Sequence, residues 1–269
     1  TGEDTLSLHD ALPILTDASR LCIVTGHSRG LGGALAAQLL QPGTLLIGLA
    51  RRENAALAAL AAQRGAQIEQ WSVDLADALP AARRLRETLA GFAPERFARA
   101  LLVNNAGAIT EPAPLRDTDL AALATTLRID LEAATLLCAA FLDATRAWRG
   151  QRRVLNISSG LGRRAMAGSA LYCAAKAGMD HLSRSLALEE ESVPNGARVV
   201  SLAPGVIDTD MQVQLRGADA AAFPERERFA ALHREGRLTS AEEAAARVLA
   251  CLERADFGTQ PVADVRELA

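Results

Sequence analysis

Tyr172 and Lys176 stand four residues apart, and each is the only residue of its type in the 269-residue chain. Lysine and arginine together number 29, so arginine serves nearly everywhere that a positive charge is needed except at this one position. Arginine does not replace lysine where chemistry needs a compact ammonium on a flexible stem, and phenylalanine does not replace tyrosine where it needs an ionisable hydroxyl. On a helix, positions i and i+4 share a face, so the phenol and the ammonium point into the same space. The spacing predicts that the cation favours the phenolate and lowers a pKa otherwise near ~10, making Tyr172 an acid/base usable at neutral pH. The competing reading is a buried tyrosine and a surface lysine at accidental spacing.

A second group could hold phosphate. Thr25-Gly26-His27-Ser28-Arg29-Gly30-Leu31-Gly32 follows the apolar run Leu21–Val24 and precedes the alanine- and leucine-rich stretch Ala34–Leu40. Strand, glycine turn and helix in that order let backbone N–H groups approach a pyrophosphate at the positive end of a helix. The rest of the chain keeps alternating. Strands are expected at 44–50, 67–73, 100–104, 153–158, 198–203 and 261–265. Helices are expected at 54–64, 81–90, 117–148 in two parts, 170–191 and 240–254, the last capped by Ser240 with Glu243. Strands separated by helices imply right-handed crossovers and an α/β fold: one doubly wound parallel sheet, a Rossmann fold, with helices on both faces.

Ligands of such sheets bind beyond the carboxyl ends of the strands. The informative residues fall there in order: Gly26–Gly32, Arg51 and Arg52, Asp74, Asn104-Asn105-Ala106-Gly107, Ser158-Ser159-Gly160, and Pro204-Gly205-Val206-Ile207-Asp208-Thr209. This set resembles the short-chain dehydrogenase/reductase family from Leu21 onward. The motifs are Thr-Gly-x-x-x-Gly-x-Gly at 25–32, Asn-Asn-Ala-Gly at 104–107, Asn-Ile-Ser-Ser at 156–159, Tyr-x-x-x-Lys at 172–176 and Pro-Gly at 204–205. Within the family the wording is most similar to the bacterial sepiapterin-reductase-like group with its benzoin-forming benzil reductases, through Arg51-Arg52-Glu53-Asn54, Val154–Gly160, Pro204–Gln212 and Arg228–Leu238.

The resemblance implies a carbonyl reductase in which Tyr172 protonates the carbonyl oxygen and Ser159, thirteen residues before it, hydrogen-bonds that oxygen. Lys176 would acidify Tyr172 and bond the nicotinamide ribose. Ser158 is either a second site residue or a strand-end residue. Gly26, Ser28, Gly30, Leu31 and Gly32 would hold the pyrophosphate, with Asp74 at the next strand end. Asn105, Ala106 and Gly107 would lie under the adenine ribose, while Pro204, Gly205, Val206, Ile207 and Thr209 would hold the nicotinamide amide. Asp130 stands where relatives carry an asparagine that helps link the lysine to solvent through a water; its carboxylate either faces Lys176 or turns toward Arg128 or a neighbouring backbone N–H.

Cofactor choice follows from charge. A carboxylate at the end of the second strand would bond the 2′-hydroxyl of NAD and repel a 2′-phosphate, but Ala50 stands there, followed by Arg51, with Arg29 in reach. The expected cofactor is NADPH; the competing reading is solvated loop arginines. The implied lid, about 208–238, offers Met211, Leu215, Phe223 and Phe229 as apolar walls, with Met166 a further candidate, unless these pack within the lid itself. No cationic cluster marks a thioester site, although Arg163 and Arg164 near the mouth keep one open. The expected substrate is a small, largely apolar ketone or 1,2-diketone. The alternatives are a 3-oxoacyl thioester reductase and, from another class, a non-catalytic NADP(H)-binding redox sensor.

A net charge of −3 without a basic stripe argues against nucleic acid or an anionic membrane as partner. No apolar run approaches the roughly 20 residues that span a bilayer, and the expected location is cytoplasmic. Cys22, Cys138, Cys173 and Cys251 lack metal-ligand spacing, so free thiols and no metal are expected. Residues 1–18 read as a leader outside the native protein, part of it matching a translated sequencing adapter, with a single oxidoreductase domain over 19–269. The family builds a four-helix contact from 121–148 and 170–191, so a homodimer or homotetramer is expected.

Overall fold

The computed structural model describes residues 19–267; the expected leader lies outside them. Seven strands are β1 Arg20–Thr25, β2 Thr44–Ala50, β3 Gln67–Ser72, β4 Arg99–Asn104, β5 Gln151–Ile157, β6 Arg198–Ala203 and β7 Val262–Asp264. They form one sheet in the order β3-β2-β1-β4-β5-β6-β7, and every pairing is parallel. The order reverses between β1 and β4, the switch point at which such sheets open a crevice.

Period-two alternation sends one set of side chains to each face. Cys22 and Val24 of β1 pack with α1 (Gly30–Leu39), α2 (Ala55–Arg64) and α9 (Ala241–Glu253). Leu21 and Ile23 pack on the other face with α3 (Ala78–Ala90) and α5 (Ala133–Ala144). Both faces of β2 are covered, so Thr44–Ala50 is buried throughout, as its unbroken apolar run requires of a central parallel strand. Fully buried side chains such as Phe141 and Leu85 each contribute about 1.5–3 kcal/mol relative to exposure.

The elements match the expected alternation, with α6 (Ala170–Glu191) and β6 at the bounds read from sequence. Ser240 caps α9 by accepting from the Glu243 N–H at 3.1 Å. The expected helix over 117–148 differs more. It consists of α4 (Leu120–Leu127) and α5 joined by one π-helical turn, Arg128–Glu132. The wider turn displaces Asp130 from ordinary helical phase and buries it. Two short helices, α7 (Asp210–Gly217) and α8 (Arg226–Arg234), form the lid after β6. The thiols of Cys22 and Cys138 are free and pushed up to about 12 by burial, which makes them inert packing groups.

Candidate active site

The glycine turn is held by the end of β1. Thr25 Oγ1 accepts the N–H groups of Asn105 and Ala106, each at 2.9 Å, and Asn105 Nδ2 donates to the Thr25 carbonyl at 3.0 Å. Gly32 then packs against the turn so closely that a Cβ there would lie 2.2 Å from the Gly26 carbonyl oxygen. No larger residue fits without moving backbone. Asn54 joins the second strand end to the turn, donating from Nδ2 to the Ser28 carbonyl at 3.1 Å while its Oδ1 caps α2. Sequence reading placed Thr25 in the motif and Asn54 at a helix start, but neither role shows without the fold.

Arg51 and Arg52 are exposed beside buried Ala50, which takes the last position of β2 in place of a carboxylate, and exposed Glu53 follows them. Arg29 is placed differently from the sequence expectation: its guanidinium pairs with Asp210 at the start of the lid helix α7. Asp74 is exposed and caps the turn after β3 by accepting from the Ala76 N–H.

The loop after β5 is docked onto α6 by buried polar contacts. Ser158 Oγ donates to Asp180 Oδ1 at 2.5 Å, and Ser201 Oγ donates to the same oxygen at 2.6 Å. A Cβ at Gly162 would meet Asp180 Oδ2 at 2.7 Å and the Lys176 carbonyl at 2.9 Å, so only glycine permits this approach. Both serines line the cavity, but the Ser158 hydroxyl is committed to Asp180, whereas the Ser159 hydroxyl accepts the Leu161 N–H at 3.2 Å and keeps its proton to donate. A further buried chain, Asn104 to Asn156 at 2.8 Å and Asn156 to Ser183 at 2.9 Å, ties β4, β5 and α6 together. Asp180 and Ser183 went unread in the sequence. Their only signal is polar residues on the helix face that carries Tyr172 and Lys176.

Lys176 is buried and donates to the Ile157 carbonyl at 3.1 Å, with Nζ 5.4 Å from the centre of the Tyr172 ring. Tyr172 is half-buried, and its pKa is raised. Desolvation is the largest cause; Lys176 lowers the pKa, Asp130 raises it, and Ser159 lowers it. The expected acidification by Lys176 is thus present but outweighed by burial. Asp130 does not turn toward Arg128. Its Oδ1 accepts the Ala108 N–H at 2.6 Å, Oδ2 has no hydrogen-bond partner, and the position of a Cβ on Gly107 is 3.6 Å from Oδ1 and 3.8 Å from Lys176 Nζ. Burial raises the Asp130 pKa, with Lys176 pulling it down.

Ser159, Tyr172 and Lys176 share one cavity of about 300 Å³ with Leu31, Asn105 and Gly107 and with the 204–207 loop and Thr209. Of the expected apolar walls, Met211, Leu215 and Phe229 line it. Met166 and Phe223 instead pack inside the lid, where Phe223 stacks on Phe229 at 5.7 Å. Their size and apolar character are equally suited to either place, so sequence alone did not separate them.

A hydroxyl, a phenol and an ammonium gather around an open cavity, at the carboxyl ends of parallel strands and beside a glycine turn, an arrangement that suits acid/base chemistry on a bound dinucleotide. The model of the short chain dehydrogenase family matches residues 20–220, and the chain belongs to that family of oxidoreductases, which use a nicotinamide cofactor. It is 35% identical over 238 residues to a benzil reductase ((S)-benzoin forming) of Bacillus cereus, covering 88% of this chain and 96% of that one. It is 36% identical over 249 residues to the sepiapterin reductase of Rattus norvegicus, covering 88% and 92%. Among solved structures, a metagenomic short-chain oxidoreductase in complex with NADP superposes with a TM-score of 0.66 at 26% identity, covering 92% of this chain and 95% of that one.

Proposed function

We propose that the protein is an NADPH-dependent carbonyl reductase acting on ketones and 1,2-diketones. The observation that carries this reading is the convergence of Ser159, Tyr172 and Lys176 on one cavity that also has apolar walls from the lid. The names of the benzil and sepiapterin reductases to which the chain is similar support a carbonyl substrate. The nicotinamide, when bound, supplies the hydride. Leu31, Asn105, Gly107, the 204–207 loop and Thr209 would hold it. The exposed Arg51 and Arg52, after Ala50 rather than an acidic residue as the last residue of β2, fit a 2′-phosphate.

Burial keeps the Tyr172 phenol protonated at neutral pH, which suits a proton donor. As charge develops on the carbonyl oxygen, the Ser159 hydroxyl donates to it and Tyr172 gives up its proton. The Lys176 ammonium stabilises the phenolate left behind. The Asp130 carboxylate raises the Tyr172 pKa and so partly offsets that field.

NADPH oxidation followed over aryl 1,2-diketones, pterins and β-keto thioesters tests the reading. Diketones should give the highest kcat/KM. A dominant thioester activity would replace the reading with a thioester reductase, and no turnover of any carbonyl would favour a redox sensor. We further propose a homodimer, because Leu120 on α4 is 81% exposed and Leu188 on α6 is 70% exposed, on the helices the family pairs. A monomer by light scattering at micromolar concentration would refute it. No helix among the described residues is long and apolar enough to cross a membrane, and we place the reaction in the cytoplasm.

A further inference from the structure

Three arginines from distant parts of the chain line the same cavity as Ser159 and Tyr172: Arg164 after β5, Arg228 on α8 and Arg266 just beyond β7. No aspartate or glutamate lines it among the described residues. All three belong to the β5–β7 side of the sheet, across the switch point from Arg51 and Arg52 at the end of β2. They are therefore on the substrate side and away from the strand end suited to the cofactor's 2′-phosphate.

Their existing partners leave donors to spare. Arg228 pairs with Glu225 at 3.0 Å. Arg266 is gripped by Asp264 through Nε at 2.8 Å and one terminal nitrogen at 2.5 Å, with Glu267 also acting on its charge. That grip uses one edge of the guanidinium and fixes its plane, leaving the other terminal nitrogen free to donate. It also holds the group beside the corner that follows Ser159, since a Cβ on Gly160 would lie 3.9 Å from Nη2, the terminal nitrogen bonded to Asp264. Arg163 approaches the same Asp264 at 3.9 Å, so one carboxylate faces two guanidiniums. Arg164 has no acidic partner among the described residues and is exposed at the cavity. An unpaired guanidinium over a cavity with apolar walls is a ready site for an anion.

We propose that the cavity takes a carbonyl substrate bearing its own carboxylate, with Arg164 as the anchor and Arg228 and Arg266 beside it. This inference rests on the reductase reading and narrows its substrate class. A neutral diketone remains a substrate because the acid/base groups and the apolar walls do not depend on the anchor, whereas an anionic one gains a charge-assisted bond.

The test compares 1-phenylpropane-1,2-dione carrying a para-carboxylate with its para-methyl ester, using the full chain and NADPH. The carboxylate should be favoured in kcat/KM by about tenfold or more, mainly through KM, and the preference should shrink as salt screens the charge. Arg164→Gln should remove most of the preference and Arg164→Glu should reverse it, with unchanged melting temperature showing that both variants are folded. Equal rates for acid and ester, or a preference that survives Arg164→Glu, would overturn the inference while leaving the reductase reading in place. Turnover of neither compound would remove both. An Arg164-dependent preference for acetoacetyl-CoA over the neutral N-acetylcysteamine thioester, with no gain from the para-carboxylate, would overturn it in favour of thioester phosphates as the anion.

Discussion

The two halves of the cleft are built in different ways. On the β1–β3 side the ligand-facing residues lie in one short turn, Gly26–Gly32, locked from within by Gly32 against Gly26 and from beside by Thr25 with Asn105 and Ala106. On the β5–β7 side the cavity is assembled from the loop after β5, helix α6, the lid and the segment after β7. A turn with one tight solution suits a constant group, as the dinucleotide phosphates of the proposed cofactor are. A wall made of several independent segments changes piecewise, which suits the choice of substrate in the proposed reaction.

If that division holds, each half should fail separately. Tyr172→Phe should have the largest effect, lowering kcat by about 10²–10⁴-fold through loss of the proton donor. NADPH affinity by fluorescence titration should stay within a few-fold, and retention of most of kcat would remove Tyr172 from the chemistry. Gly32→Ala strikes the other half: its Cβ would sit 2.2 Å from a backbone oxygen. Overpacking of this kind costs about 1–3 kcal/mol. Thermal melting should fall by several degrees and cofactor affinity with it, while relative rates among carbonyl substrates stay constant. A changed substrate order would show that the halves are coupled.

Milder variants sharpen the comparison. Arg51→Ala with Ala50→Asp should move the NADPH/NADH ratio of kcat/KM toward NADH by about tenfold or more, through lost phosphate bonds and an added repulsive carboxylate. An unchanged ratio would place the phosphate elsewhere, with Arg29 the next candidate once released from Asp210. Asp130→Asn should have the smallest effect and lies between the halves. Reduction needs a protonated Tyr172, so activity is lost as pH rises through the tyrosine pKa. Asp130 raises that pKa; removing its charge should therefore move the basic limb of the pH–rate profile to lower pH. A limb that stays put or moves upward would uncouple Asp130 from the dyad.

The strand–helix alternation, the glycine turn and the Ser159–Tyr172–Lys176 set were legible in the sequence because their signals are local, whereas the strand order came only with the fold. Alternation, helix periodicity and a four-residue spacing are properties of neighbouring residues, and a parallel sheet brings its strand ends to one edge whatever lies between. The Asp130 site was half legible: the residue stood out, but its orientation depends on a π turn that periodicity does not announce. Hidden altogether were the balance at Tyr172, where desolvation outweighs the lysine, the role of Asp180 under Ser158, and the gathering of Arg164, Arg228 and Arg266. Arg164 stood out near the mouth, but in an arginine-rich chain Arg228 and Arg266 read as ordinary solvated charges, and nothing in the sequence joins the three. Dielectric, burial and charge clustering are set by groups far apart along the chain, so short segments determined the fold and the set of reactive groups, whereas only tertiary closure decided the acidity of the phenol and the charge of the cavity wall.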